Sequence, residues 1–231
     1  MTRVAPHNLL CGKARNYICL SLMNILDLFS GTHSVGKEFG DEDVTSVDID
    51  PKFAPTHLVD IMLFDYRQYP KGHFTYIHAS PPCILYSQNQ VTFYGRKKRH
   101  NVTKEFVVWD KEQHTECITE SDKLVLKVLE ILDYFAPRFW TIENPFHGQW
   151  CCIHKRPFMA DRAYTLVDYC MYDYAVKKPT VFFNNFDLRL HRCDKKHTHQ
   201  AWNKFSRNKY DRYVIPSQLV HEIKRQIHKK I

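Results

Sequence analysis

The chain has 231 residues, with 33 Lys and Arg against 25 Asp and Glu, a formal charge of +8 and a pI near 9.0. That length suits one domain with at most a small appendage, and 44% hydrophobic with 14% aromatic residues supplies a large packed core rather than a disordered chain. The basic balance suits a polyanionic partner. Eight scattered cysteines do not form a disulfide framework, and the early apolar run is broken by Lys13, Arg15 and Asn16. The expectation is free thiols in a reducing, intracellular setting, with no signal peptide and no membrane partner.

Residues 1–22 show no period and are expected to be an N-terminal extension, the functional core running from 23 to 231. Asn24 to Leu28 reads as an apolar strand, followed by a turn at Ser30-Gly31-Thr32 and a helix start. A glycine there lets backbone approach a ligand, and the helix N-terminus offers free N–H groups. Val44 to Asp50 is a second strand ending in acid, which in nucleoside-binding βαβ units can hold ribose hydroxyls; a cap or turn role for Asp48 is the alternative. His57 to Ile61 is a third short stretch, again ending near an acid.

Phe74 to His78 is a fourth strand, stopped by Pro81-Pro82 because proline fixes φ and has no N–H to donate. Cys83 is thereby presented on a stiff turn at the carboxyl edge of a sheet, where open α/β folds bind ligands. It is a candidate nucleophile, with an inert buried thiol as the plain alternative. Downstream, Arg96, Lys97, Lys98 and Arg99 lie among Phe93, Tyr94, Phe106 and Trp109, and read as a mobile basic loop able to contact phosphates. Apolar residues at helical spacing from Leu124 to Leu132 predict a helix capped by Ser121 and ending before Pro137. Phe139 to Pro145 is a fifth strand that places Glu143 on the same edge as Cys83. A carboxylate and a thiol together make a stronger site than either alone. Leu166 to Cys170 and Lys178 to Phe183 read as further strands, and an amphipathic helix follows Pro216. Between them, Arg189 to Arg212 holds His191, Cys193, His197 and His199, whose spacing fits no standard zinc pattern, so no metal site is assigned.

The ordered set resembles the cytosine-5 DNA methyltransferase family. Asp27-Leu28-Phe29-Ser30-Gly31-Thr32 looks like the motif that holds S-adenosylmethionine, Asp48-Ile49 and Asp60-Ile61 fall where the family grips ribose and adenine, and Pro81 borders the cofactor. Pro81-Pro82-Cys83 with Ser87 is similar to the nucleophile motif, Glu143-Asn144 to the pair that holds the cytosine, and Ile215-Pro216 to Ile223 to the closing motif. Lys178 and Thr180 occupy the positions of a basic pair, and Pro145 stands where valine is usual. The start Phe29 to Gly36 and the small size look most like short enzymes of large DNA viruses such as iridoviruses, with phage enzymes close behind.

The resemblance implies a Rossmann-like α/β methyltransferase fold. Its sheet is mostly parallel with helices on both faces, and residues 184–212 stand in place of a target-recognition domain. It implies S-adenosylmethionine as cofactor, duplex DNA as partner, and a monomer located in the host nucleus or cytoplasm if viral. An RNA cytosine-5 methyltransferase, or a catalytically silent nucleic-acid-binding relative, is the alternative.

Overall fold

A computed structural model describes residues 22–205 and 209–231. The N-terminal extension expected over residues 1–22 therefore lies, apart from Leu22, outside the described residues. Among the described residues nine strands occur in chain order: β1 (Asn24–Leu28), β2 (Asp43–Asp48), β3 (His57–Leu58), β4 (Tyr76–Ala79), β5 (Lys97–Arg99), β6 (Phe106–Val108), β7 (Phe139–Pro145), β8 (Tyr164–Asp168) and β9 (Pro179–Asn184). The helices are α1 (Ser34–Glu38), α2 (Lys111–Phe135), α3 (Trp202–Phe205) and α4 (Ser217–His228).

Seven strands form one sheet in the order β3-β2-β1-β4-β7-β9-β8. The ladders from β3 to β7 are parallel, and β9 runs antiparallel between β7 and β8. The expected mostly parallel methyltransferase sheet is therefore the one observed, and the run around Val181 supplies its antiparallel strand. The chain leaves β1 toward β2 on one side and returns to β4 on the other. That reversal opens a crevice beyond the carboxyl ends of β1 and β4.

Side-chain alternation explains why both faces are covered. Leu26, Ile77 and Ile142 pack with Val125, Val128 and Leu132 of α2. Their strand neighbours Ile25 and Tyr76 point the other way, to Val35 and Phe39 beside Leu219, Ile223 and Ile227 of α4. Central strands buried on both faces read as continuous apolar runs, which is why β1 and β4 are legible. The chain end is tied back to α1: Ile215 N–H donates to Ser34 Oγ at 3.1 Å, Lys224 reaches the Glu38 carbonyl at 3.0 Å, and Lys224 also pairs with Asp41.

Two expectations are corrected. The long helix starts at Lys111, a full ten residues before Ser121, because Asp110 caps it by accepting from the N–H groups of Glu112 (2.8 Å) and Gln113 (3.0 Å). The buried stripe extends to match, through His114, Cys117 and Ile118. The basic loop is a built hairpin. β5 and β6 pair antiparallel, and Trp109 is fully buried and donates to the Gln90 carbonyl at 3.1 Å. Between β9 and α4 the described residues form α3 and one 3-10 turn, Lys209–Arg212.

Loop Pro81–Tyr86 is gripped by its carbonyls. Asn144 donates to Pro81 O (3.0 Å), His114 to Leu85 O (2.7 Å) and His147 to Tyr86 O (2.6 Å). The Tyr86 hydroxyl donates to Asp122 at 3.0 Å, and Arg156 pairs with the same carboxylate at 2.5 Å. Both partners are largely buried, so Asp122→Ala strands the Arg156 guanidinium. The expected loss of stability is about 3–5 kcal/mol by urea denaturation.

Candidate active site

A cleft of about 310 Å³ sits at the carboxyl ends of β1, β4 and β7. Its floor is the turn after β1. Phe29, Gly31 and His33 all take positive φ (58°, 45° and 56°), so the backbone coils sharply before α1. A Cβ on Gly31 would meet only the Phe29 carbonyl at 3.8 Å, so the constraint there is the dihedral, not space. Asp48 at the end of β2 bridges this turn to its own: Oδ2 accepts from Gly31 N–H and Oδ1 from Asp50 N–H, each at 2.8 Å.

Asp27, Phe29, Ser30, Gly31, Thr32, Asp48 and Ile49 line one part of the cleft; Pro81, Cys83, Glu143 and Lys178 line another. Two buried atoms in the first group lack any hydrogen-bond partner, Asp27 Oδ2 and Ser30 Oγ. Unmatched buried polar atoms beside a cavity mark where ligand groups would complete the bonding. Burial and the neighbouring Asp48 carboxylate push the Asp27 pKa up to about 8, against a smaller opposing effect of the Gly36 N–H. Between its ordinary 3.8 and that value the folded chain holds a proton that the unfolded chain has released, so stability falls as pH rises through that window. Asp27→Asn should flatten this slope and raise stability at neutral pH by at most about 4 kcal/mol. Urea midpoints measured on both sides of neutrality check it.

Cys83 is half-buried on its turn. Burial pushes its thiol pKa up, Lys178 opposes this, and the Glu143 carboxylate adds to it. Glu143 Oε1 accepts from the Tyr169 hydroxyl at 2.8 Å and lies 3.8 Å from Lys178 Nζ, itself 4.5 Å over the Tyr169 ring. Burial and the Glu143 charge raise Tyr169 well above its usual pKa, so it stays a donor. Among the described hydrogen bonds nothing occupies Glu143 Oε2. His78, also on the cleft wall, bonds Thr141 Oγ1 and Ser80 Oγ, each at 2.8 Å. Burial lowers its pKa to about 3 and keeps the imidazole neutral.

Other expected site residues lie elsewhere. Asp60 accepts from Met62 N–H as the cap of a short turn, and Ile61 is packed in the core; neither lines the cleft. Asn144 is fully buried and holds the Pro81 carbonyl, so it positions the Cys83 loop. Thr180 is fully buried opposite Pro145, its hydroxyl donating to Lys178 O at 3.2 Å, which removes it from ligand contact. Ser87 caps the turn that follows it, accepting from Asn89 N–H at 3.3 Å.

Strand period two splits the basic cluster. Lys97 and Arg99 share an outward face with Phe106 and Val108, all exposed, and Arg96 is exposed before them. Lys98 points inward, bonded to Gln90 and 4.0 Å over the Trp109 ring, so it is not available to phosphate. Sequence reasoning missed Tyr169, His78, Ser80, Phe53, Tyr210 and Tyr213 on or beside the cleft. His78 and Ser80 directly precede Pro81-Pro82-Cys83, which could have drawn attention to them; Tyr169, Phe53, Tyr210 and Tyr213 are brought there only by folding.

No protein-family model matches the chain. Over 167 residues it is 30% identical to a "Probable DNA (cytosine-5)-methyltransferase" of frog virus 3 (isolate Goorha), covering 71% of this chain and 72% of that protein. Among solved structures it is similar to a candidate DNA modification methyltransferase encoded within an E. coli prophage, at 17% identity and a TM-score of 0.41. That match covers 70% of this chain, which spans 46% of the solved one. Identity and coverage against the frog virus protein place the chain: it belongs to the DNA (cytosine-5)-methyltransferase family.

Proposed function

We propose that the chain transfers a methyl group from S-adenosylmethionine to carbon 5 of cytosine in duplex DNA, through a covalent bond to Cys83. One observation carries this reading: Cys83, Glu143 and the Phe29–Thr32 turn border a single cleft. S-adenosylmethionine joins an amino-acid end, with an ammonium and a carboxylate, through a cationic sulfonium to a ribose diol. The orphaned Asp27 Oδ2 and Ser30 Oγ and the oriented Asp48 carboxylate suit those groups, with Phe29, Ile49 and Pro81 as apolar walls. Bound there, it would supply an electrophilic methyl group.

The protein's own residues do the rest. The Cys83 thiolate adds to carbon 6, forming an S–C bond and moving the ring's electron pair toward carbon 5. Glu143, its Oε1 held by Tyr169, acts at this step as the protonated acid: its Oε2–H donates to ring N3 and stabilises the negative charge that develops there. Lys178 screens the Glu143 and Cys83 charges from each other. Once carbon 5 is methylated, transfer of its proton to a solvent base, water or hydroxide, restores the double bond and expels Cys83 as a thiolate. A cytosine within a duplex must first be flipped out, at roughly a few kcal/mol. The outward face of the β5–β6 hairpin, with Arg96, Lys97, Arg99 and exposed Phe106, offers cation and apolar contacts to the strand left behind.

The test is covalent trapping on duplex DNA carrying 5-fluorocytosine, with S-adenosylmethionine present. Fluorine cannot leave as a proton does, so the enzyme should stall as an adduct that survives a denaturing gel and vanishes in Cys83→Ser. Trapping on 5-fluorocytosine RNA but not DNA would reassign the substrate. No adduct on either would discard the catalytic reading.

A further inference from the structure

A second set of ligating side chains lies outside the cleft. Cys170 stands on the 3-10 turn that follows β8, Tyr169–Tyr172. Cys193, His197 and His199 come from the irregular stretch after β9. One ligand atom from each of the four lies within 4.8 Å of all the others. The fourth partner is Cys170, 23 positions before Cys193, which is why the local spacing matched no standard zinc pattern.

The distances have the right size. Cys193 Sγ is 3.4 Å from His199 Nε2 and 4.0 Å from His197 Nε2. Around a tetrahedral Zn²⁺, bonds of about 2.3 Å to sulfur and 2.0–2.1 Å to nitrogen give an S···N edge of about 3.6 Å. The two imidazoles meet edge to face with centroids 4.7 Å apart, so both can turn a nitrogen to one centre. Lys195 N–H donates to Cys193 Sγ at 3.4 Å, the kind of outer bond that steadies a ligating thiolate.

The surrounding chain supplies an independent reason. Of residues 191–200, only Cys193 is not exposed, and none lies in a helix or strand. A ten-residue polar run has no apolar surface to offset the entropy of ordering it. It is nonetheless placed, through Asp168, which accepts from Cys193 N–H at 2.9 Å and Arg192 Nε at 2.7 Å, and through Gln200 N–H on Ala175 O. These bonds bring the run to the end of β8, where the four ligand atoms converge.

We propose that Cys170, Cys193, His197 and His199 bind one Zn²⁺ ion in a structural site. Four protein ligands close the coordination sphere and leave no position for a water nucleophile. Two thiolates with two imidazoles select zinc over magnesium or calcium, which take oxygen ligands. The ion staples the segment after β9 to the turn after β8. Cys170 is adjacent to Tyr169, whose hydroxyl holds Glu143, so the staple also braces the wall of the cleft.

The test uses the full chain. Protein purified without chelator should carry one zinc per chain by elemental analysis. The metal-stripped chain titrated with Co²⁺ should develop the visible bands and thiolate charge-transfer absorption of a tetrahedral sulfur-nitrogen site, saturating at one equivalent and displaced by Zn²⁺. Cys193→Ser and His199→Ala should lose these bands. Cys83→Ser should keep them, and so should Cys152→Ser and Cys117→Ser, which rule out the Cys–His contacts at Cys152 with His154 and at Cys117 with His100. Chelation should lower the thermal midpoint, and added Zn²⁺ should restore it. The wild-type measurements need no variant to fold. Zinc-free wild-type protein with no cobalt charge-transfer band would overturn the proposal, as would bands that survive Cys193→Ser.

Discussion

Cys83→Ala protein should transfer no methyl group to DNA, a loss on the order of 10⁴-fold or more, because no other thiol borders the cleft among the described residues. The remaining described cysteines are placed elsewhere. Cys117, Cys151 and Cys152 are buried, while Cys170 and Cys193 belong to the cluster beyond β8. S-adenosylmethionine affinity should survive, because the residues proposed to hold it come mainly from the ends of β1 and β2. The loop fold should survive too, since Asn144, His114 and His147 grip its backbone carbonyls, not the thiol. Radiolabelled methyl transfer beside calorimetric cofactor titration separates the two properties. Turnover by Cys83→Ala would end the covalent mechanism; loss of cofactor binding along with turnover would place Cys83 in the cofactor pocket instead.

Glu143→Gln should lower kcat by about 10²–10⁴-fold and leave the KM for DNA close to that of the wild type. The amide matches the carboxylate in size, and its carbonyl can still accept from Tyr169. What it loses is the acid able to stabilise charge at ring N3, so the cost falls on the transition state and not on ground-state binding. Lys178 loses its 3.8 Å ion partner, and the thiol loses the nearby negative charge that raises its pKa. In free protein Cys83 of this variant should therefore react with a small alkylating agent at lower pH than wild type. Single-turnover rates measured beside alkylation rates across pH test both statements. An unchanged single-turnover rate would remove Glu143 from the chemistry.

Much of the fold was legible because strong local signals agreed with the global one. β1 and β4 are continuous apolar runs, and each is ended by a residue that cannot continue a strand or that permits a tight turn. Pro81-Pro82 and Pro145 mark where two strands stop, and the side chains around those stops form the cleft. The start of α2 was misplaced because its first ten residues are mainly polar. Its cap, Asp110, follows a tryptophan whose burial no periodicity reveals. The hairpin was mistaken for a loop because each of its strands is only three residues long, too short to show an alternating pattern.

The sequence by itself determined where the seven strands of the main sheet fall along the chain and that a thiol and a carboxylate stand at strand ends, and its ordered motifs carried the resemblance to the family. The strands rest on spacing within a few residues, which the chain carries wherever it folds. Tertiary structure decided which of those residues meet. Lys98 turned inward because strand pairing alternates faces; Thr180 was buried because β9 inserts antiparallel between β7 and β8. Tyr169 reached Glu143 only because β8 ends beside β7's far neighbour. Cys170 joined Cys193, His197 and His199 across 23 positions for the same reason: contacts between distant segments are set by sheet order and crossover, and no window along the chain contains both ends of such a contact.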